Sequence, residues 1–196
     1  MFKVLRLVLL FAILAPLPVS MAAQDSVNRA DGLAAWERVY EVTSHPRCAN
    51  CHVGPSDRPM WSGSSYGKVR PHGMNIQAGD SRIGAETIPC QTCHTVSDRG
   101  NPAPHAAPRV DTAWMLAPPE AHWFGQPSEV ICNQLRDPER NGGRTPEELA
   151  EHLGHDIILH WAWSPGGTRE AAPYSLAEHI SDLEIWGEAG TPCPDD

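Results

Sequence analysis

Cys48-Ala49-Asn50-Cys51-His52 and Cys90-Gln91-Thr92-Cys93-His94 are the two stretches that decide how this chain is built. Each is a C-x-x-C-H motif, and the spacing has a chemical reason. Two thiols three positions apart reach the two vinyl groups on one edge of a porphyrin, and the His that follows falls under the ring, where it ligates iron. The pattern predicts two covalently held c-type haems, and so two irons. Cys48, Cys51, Cys90 and Cys93 are the expected attachment points, and His52 and His94 the expected axial ligands.

Other readings of C-x-x-C are weaker. Paired C-x-x-C units hold zinc, but a four-thiolate site does not require the His that follows each pair. A thioredoxin-like redox motif sits in a strand-helix setting, which neither stretch has. Two separate disulfides leave both histidines unexplained.

Working outward, only residues 53–89 separate the motifs, and a segment of that length rarely folds alone. Both haems are therefore expected to share one core, close enough for electrons to pass between them. The segment is rich in Gly, Pro and Ser. Within it, Arg70-Pro71-His72-Gly73-Met74-Asn75 offers two kinds of distal ligand, and either Met74 or His72 is expected at a haem. Met raises the potential; a second His generally lowers it. A rival pattern also exists: Met74 follows His52 at nearly the spacing at which Met115 follows His94. His105, His122, His152, His155 and His160 are further candidate distal ligands, although each reads more simply as a surface or core histidine. His45 stands too close to Cys48 to circle behind the same ring, and is expected to serve a propionate or a backbone group, or to lie exposed.

Upstream of the first motif, Leu33, Trp36, Val39 and Tyr40 recur at helical spacing, which predicts a helix from Gly32 to Thr43. It stops before His45-Pro46 because the residue preceding Pro is pushed out of the helical region. Residues 24–31 read as a flexible lead-in. Before them, Lys3 and Arg6 precede the apolar run Leu7 to Ala15, then Pro16, Pro18 and the small-x-small triplet Ser20-Met21-Ala22. This is the pattern of a secretory signal peptide over residues 1–23. The apolar run is about half of the ~20 residues that span a bilayer. The expectation is an exported, periplasmic protein, a single domain over residues 24–196, with no stable membrane insertion after cleavage.

Downstream, Ser128 to Arg136 reads as a short helix ended by Pro138, followed by a turn at Asn141-Gly142-Gly143. Thr145-Pro146-Glu147-Glu148 and Ser175-Leu176-Ala177-Glu178 are capping boxes. The first opens a helix running at least to Leu153, with room to restart through Trp163. The second opens a helix that carries Ile180, Leu183 and Trp186 on one face and ends near Gly187 or Gly190. No stretch alternates convincingly as a strand. Nineteen prolines favour short helices joined by long irregular segments. The remaining cysteines, Cys132 and Cys193, are expected to form a disulfide in an oxidising compartment.

The formal net charge is −9, and removing Lys3 and Arg6 with the leader makes it more negative. That argues against nucleic acid, whose phosphates need Lys and Arg, and suits docking to a basic patch on a redox partner protein.

Beyond these motifs, the chain resembles a group of exported bacterial dihaem cytochromes often labelled as a subunit of isoquinoline 1-oxidoreductase. Tyr40 to His52, His72-Gly73-Met74-Asn75, Leu116-Ala117-Pro118-Pro119, Ile131 to Gly143 and Trp161 to Gly166 carry the resemblance. It implies a mainly α fold: a small cytochrome c-like helical domain with long coil segments around two haems. It also implies that His72 or Met74 sits at a haem, and that the chain is the electron outlet of a molybdenum hydroxylase. No molybdenum-binding, flavin-binding, P-loop or dinucleotide pattern occurs. Electron transfer is the leading expectation. A dihaem peroxidase is the alternative, and a docking role for residues 120–196 is compatible with the first.

Overall fold

The computed structural model describes residues 26–95, 107 and 114–196. The expected leader and His105 lie outside the described residues.

Helix α1 (Arg29–Thr43) begins three residues before the predicted start. Asn28 is the reason: its side chain accepts from the N–H groups of Ala30 and Asp31, and the Asp31 carboxylate accepts from Asn28 N. The segment taken as a flexible lead-in thus contains the cap and first turn of α1. Helix α2 (Pro46–Ala49) follows at once, capped by His45, whose Nδ1 accepts from Arg47 N at 3.2 Å. His45 therefore serves the backbone. This short helix delivers the first motif into the interior.

The intervening region carries a two-residue antiparallel ladder, β1 (Met60–Trp61) against β2 (Arg70–Pro71). It corrects the expectation of no strand. Two residues per strand are too few for alternation to show. Helix α3 (Ser128–Arg136) coincides with its predicted limits. Both C-terminal capping boxes form, opening α4 (Pro146–His155) and, after α5 (Ile157–His160) and a 3-10 turn at Trp161–Trp163, α6 (Leu176–Glu188).

Helix α6 is the hub. It packs against α1 and α4, and α1 also packs on α3. Trp36, Val39, Ile131, Leu135, Leu183 and Trp186 form the buried centre, with the Trp36 and Trp186 rings tilted at 5.4 Å. Gly32 lets the C-terminal chain close on α1: a Cβ there would lie 2.3 Å from Ala189 Cβ. The disulfide Cys132–Cys193, expected from the leftover pair, ties α3 to the tail, with Cα atoms 5.8 Å apart. The result, among the described residues, is a mainly helical small domain with long loops and one minimal ladder. Among the described residues, no helix is long and apolar enough to cross a membrane.

Candidate functional site

The site starts with what holds His52. Residues 121–124 run along the first motif: Val53 bridges His122, and the N–H groups of Trp123 and Phe124 both donate to the His52 carbonyl at 2.9 Å. His52 Nδ1 lies 3.3 Å from the Ala121 carbonyl. The imidazole lies flat on the Trp123 indole, centroids 3.4 Å apart and planes 1° from parallel. A proton on Nδ1 donated to Ala121 leaves Nε2 with its lone pair, the state in which a His ligates metal. Burial holds the imidazole neutral, with its pKa pushed down to about 3.

Two further residues fix this contact. Gly54 has φ +63°, and a Cβ there would meet His122 Cγ at 2.5 Å, so only glycine lets the strands approach. Arg82, buried, donates to the carbonyls of Gly54, Ser56 and Ala117, joining the loop after the first motif to the segment after the second.

Cys48, Cys51 and His52 stand together on the wall of a cavity of about 550 Å³. The remaining wall is largely apolar, with Leu116, Leu135, Leu153, Leu159 and Leu183 among its residues. Volume and lining are in the range that cofactor-sized ligands occupy. Cys48 and Cys51 are not joined in a disulfide. Burial pushes their thiols up to about 12 and about 11, whereas exchange-active C-x-x-C thiols are shifted down.

Buried polar atoms gather around the same cavity. Trp123 Nε1, Trp163 Nε1, Arg47 Nε and His179 Nδ1 have no hydrogen-bond partner among the described residues, and all four side chains border the cavity. Native interiors leave few such groups unpaired. Arg47, next to Cys48, is stacked over Trp161 at 5.1 Å and lies 3.4 Å from Glu170 Oε1, an ion pair without hydrogen-bond geometry. Arg140 and Arg144 also border the cavity. A flat, largely apolar cofactor with a thiol-reactive edge and anionic substituents suits this donor set.

The second motif opens on a 3-10 turn, Cys90–Thr92, with His94 N donating to Cys90 O at 2.9 Å. His94 is buried and stacked on Trp114, centroids 4.1 Å apart and 12° from parallel. Each motif His thus lies flat on a tryptophan. Trp114 also borders the first cavity. Cys90 is half-buried and Cys93 exposed. Residues 96–106 and 108–113, which follow, lie outside the described residues. Among the described residues no three His, Cys, Asp or Glu side chains converge into a metal-holding cluster, so the four motif cysteines do not meet in one tetrahedral site.

The His72/Met74 loop lies elsewhere. His72 Nδ1 is 3.0 Å from Gly73 O, and its ring tilts against Trp61 at 5.1 Å. Met74 is 84% exposed and adopts φ +58°. Neither borders the first cavity. Met115 does, while 56% exposed, and so does His152, which is exposed and 3.8 Å from Asp156. His122 presents its backbone to the Gln134 amide. His155 and His160 bond backbone carbonyls of Glu151 and Leu153.

Sequence reasoning missed Arg82, Gln134 and His179. Gln134 and His179 are polar residues on apolar helix faces, a legible signal. Arg82 carried none. No protein-family model, curated protein or solved structure matches the chain.

Proposed function

We propose that this chain is a periplasmic electron-transfer protein holding two c-type haems. Cys48, Cys51 and His52 together on the wall of one apolar cavity, with His52 Nδ1 tied to the Ala121 carbonyl, are the observation that carries the reading. In this reading Cys48 and Cys51 anchor one porphyrin edge and His52 presents Nε2 to the iron. Cys90, Cys93 and His94 do the same for the second haem, with His72 or Met74 as a source of a distal ligand. The long segment between α2 and α3 then makes the domain cytochrome c-like, with α1 and α6 packed together at its back.

Haem supplies a reversible one-electron change at iron. The chain's own residues set the conditions for it. The leucines of the wall would give a bound haem a largely apolar surrounding, which limits reorganisation. Arg47, Arg140 and Arg144 offer positive charge to propionates, and the Trp123 and Trp163 N–H groups offer hydrogen bonds. Trp114, shared by the His94 stack and the cavity wall, supports placing the two haems near one another. The resemblance to cytochromes labelled as isoquinoline 1-oxidoreductase subunits supports a molybdenum hydroxylase as donor, and the negative charge supports a basic docking patch on the partner.

The test is a redox titration of the purified mature protein. Two reversible one-electron steps, without peroxide turnover, are expected. Rapid peroxide turnover at a resting high-spin iron would move the reading to a dihaem peroxidase, and no haem absorption would end it.

A further inference from the structure

Helix α6 carries a histidine at a position built for an apolar residue. His179, Leu183 and Trp186 fall at i, i+4 and i+7, on the face turned to the core. Leu183 and Trp186 pack in the hydrophobic centre. His179 is 3% exposed, borders the cavity that Cys48, Cys51 and His52 border, and leaves Nδ1 without a partner among the described residues. Burying a polar nitrogen in that way is unfavourable, and the described residues offer nothing to offset it.

Its placement is also well fixed. The Ser175 capping box sets the start of α6, so His179 lies in the first turns of the helix, its own N–H donating to Ser175 O at 3.0 Å. Trp163, from the turn after α5, packs against the ring at 5.7 Å. Of the other ligand-type side chains on the cavity wall, His152 is exposed beside Asp156 and Met115 is more than half exposed. His179 alone among these described candidates combines burial with an unpaired nitrogen.

We infer that His179 would be the second protein ligand to the iron of a haem held at the first motif, together with His52. This rests on the two-haem reading above. It moves that haem's sixth ligand away from the His72/Met74 loop and leaves the loop to the second motif. Bis-His ligation gives a low-spin iron of lower potential than His/Met ligation.

The experiment uses full-length mature holoprotein from a host that matures c-type cytochromes. It compares wild type with His179→Ala, His179→Met, and the controls His152→Ala and Met115→Ala. Haem content by the alkaline pyridine spectrum should stay at wild-type level. In His179→Ala one haem should turn high-spin and bind carbon monoxide when reduced, and added imidazole should restore its low-spin spectrum; the controls should not change. If His179→Ala yields no holoprotein, His179→Met carries the test, with a new Met–iron band at the red edge and a raised potential for one haem. Unchanged low-spin spectra in His179→Ala, or in His179→Met no Met–iron band and an unchanged potential, overturn the assignment while leaving the two-haem reading intact. Wild type without haem defeats that reading itself.

Discussion

Both ends of the Gln134 side-chain amide grip the backbone of His122: Oε1 accepts from His122 N and Nε2 donates to His122 O, each at 2.7 Å. Gln134 is fully buried on α3, and His122 follows Ala121, whose carbonyl meets His52 Nδ1. Helix α3 thereby sets the orientation of the first motif His. Gln134→Leu keeps the volume but leaves two backbone groups unpaired, so a loss of about 2–4 kcal/mol is expected. Gln134→Glu faces the His122 carbonyl with a carboxylate and is expected to lose a similar amount. Urea unfolding followed by circular dichroism measures both; a loss under about 0.5 kcal/mol for Gln134→Leu contradicts the clamp.

The Arg47–Glu170 pair predicts an acid-sensitive wall beside Cys48. Burial alone would raise the Glu170 carboxyl, but backbone hydrogen bonds, including one from Ser65 N, and the Arg47 charge outweigh it and hold it below its ordinary value of 4.5. Its folded pKa lies under its unfolded one, so the stabilisation is fully present above pH 4.5 and is lost as pH falls through the folded value. Between about pH 5 and pH 3 the wild type should lose stability more steeply than Glu170→Gln. Parallel pH profiles of the two proteins would exclude this coupling.

Cys132 and Cys193 close a loop with a sequence separation of 61. In the chain-entropy model the bridge contributes roughly 4 kcal/mol. The double substitution Cys132→Ser, Cys193→Ser should lower stability by about that amount, read as a drop in unfolding midpoint. The haem spectra should not change, since neither sulfur borders the cavity.

Two glycine-to-alanine changes should differ in sign. At Gly32 a Cβ would sit 2.3 Å from Ala189 Cβ and 2.8 Å from Pro192 Cγ. Overpacking of about 1–3 kcal/mol then outweighs a helix-propensity gain of up to about 1 kcal/mol. At Gly154, near the end of α4, the nearest atom to such a Cβ is Ile180 Cδ1 at 3.9 Å, and the same gain goes unopposed. Thermal midpoints should fall for Gly32→Ala and rise slightly for Gly154→Ala.

Legibility in the sequence followed the range of the interaction. The capping boxes at Thr145 and Ser175 are closed within three residues, so their helices could be read directly. The box at Asn28 was equally local, but it lay ahead of the first apolar repeat and was absorbed into a supposed flexible segment. Helix α3 ended where Pro138 required. The ladder of Met60–Trp61 with Arg70–Pro71 is too short to leave a period. The motif residues were legible one by one. Their neighbours were not: Ala121 and Trp123 reach the first motif from at least 69 positions along the chain, by contacts that no local pattern encodes. His179, a polar residue on the face of α6 that carries Leu183 and Trp186, was a local signal of the kind that could be read.

The central claim is that porphyrin is bonded to the thiols of both motifs. Mass spectrometry of the mature protein from a cytochrome-maturing host, with fragmentation of the peptides spanning residues 48–52 and 90–94, tests it directly. One haem mass on each peptide is the predicted result. Unmodified cysteines in both peptides, or zinc as the only bound metal, would contradict it.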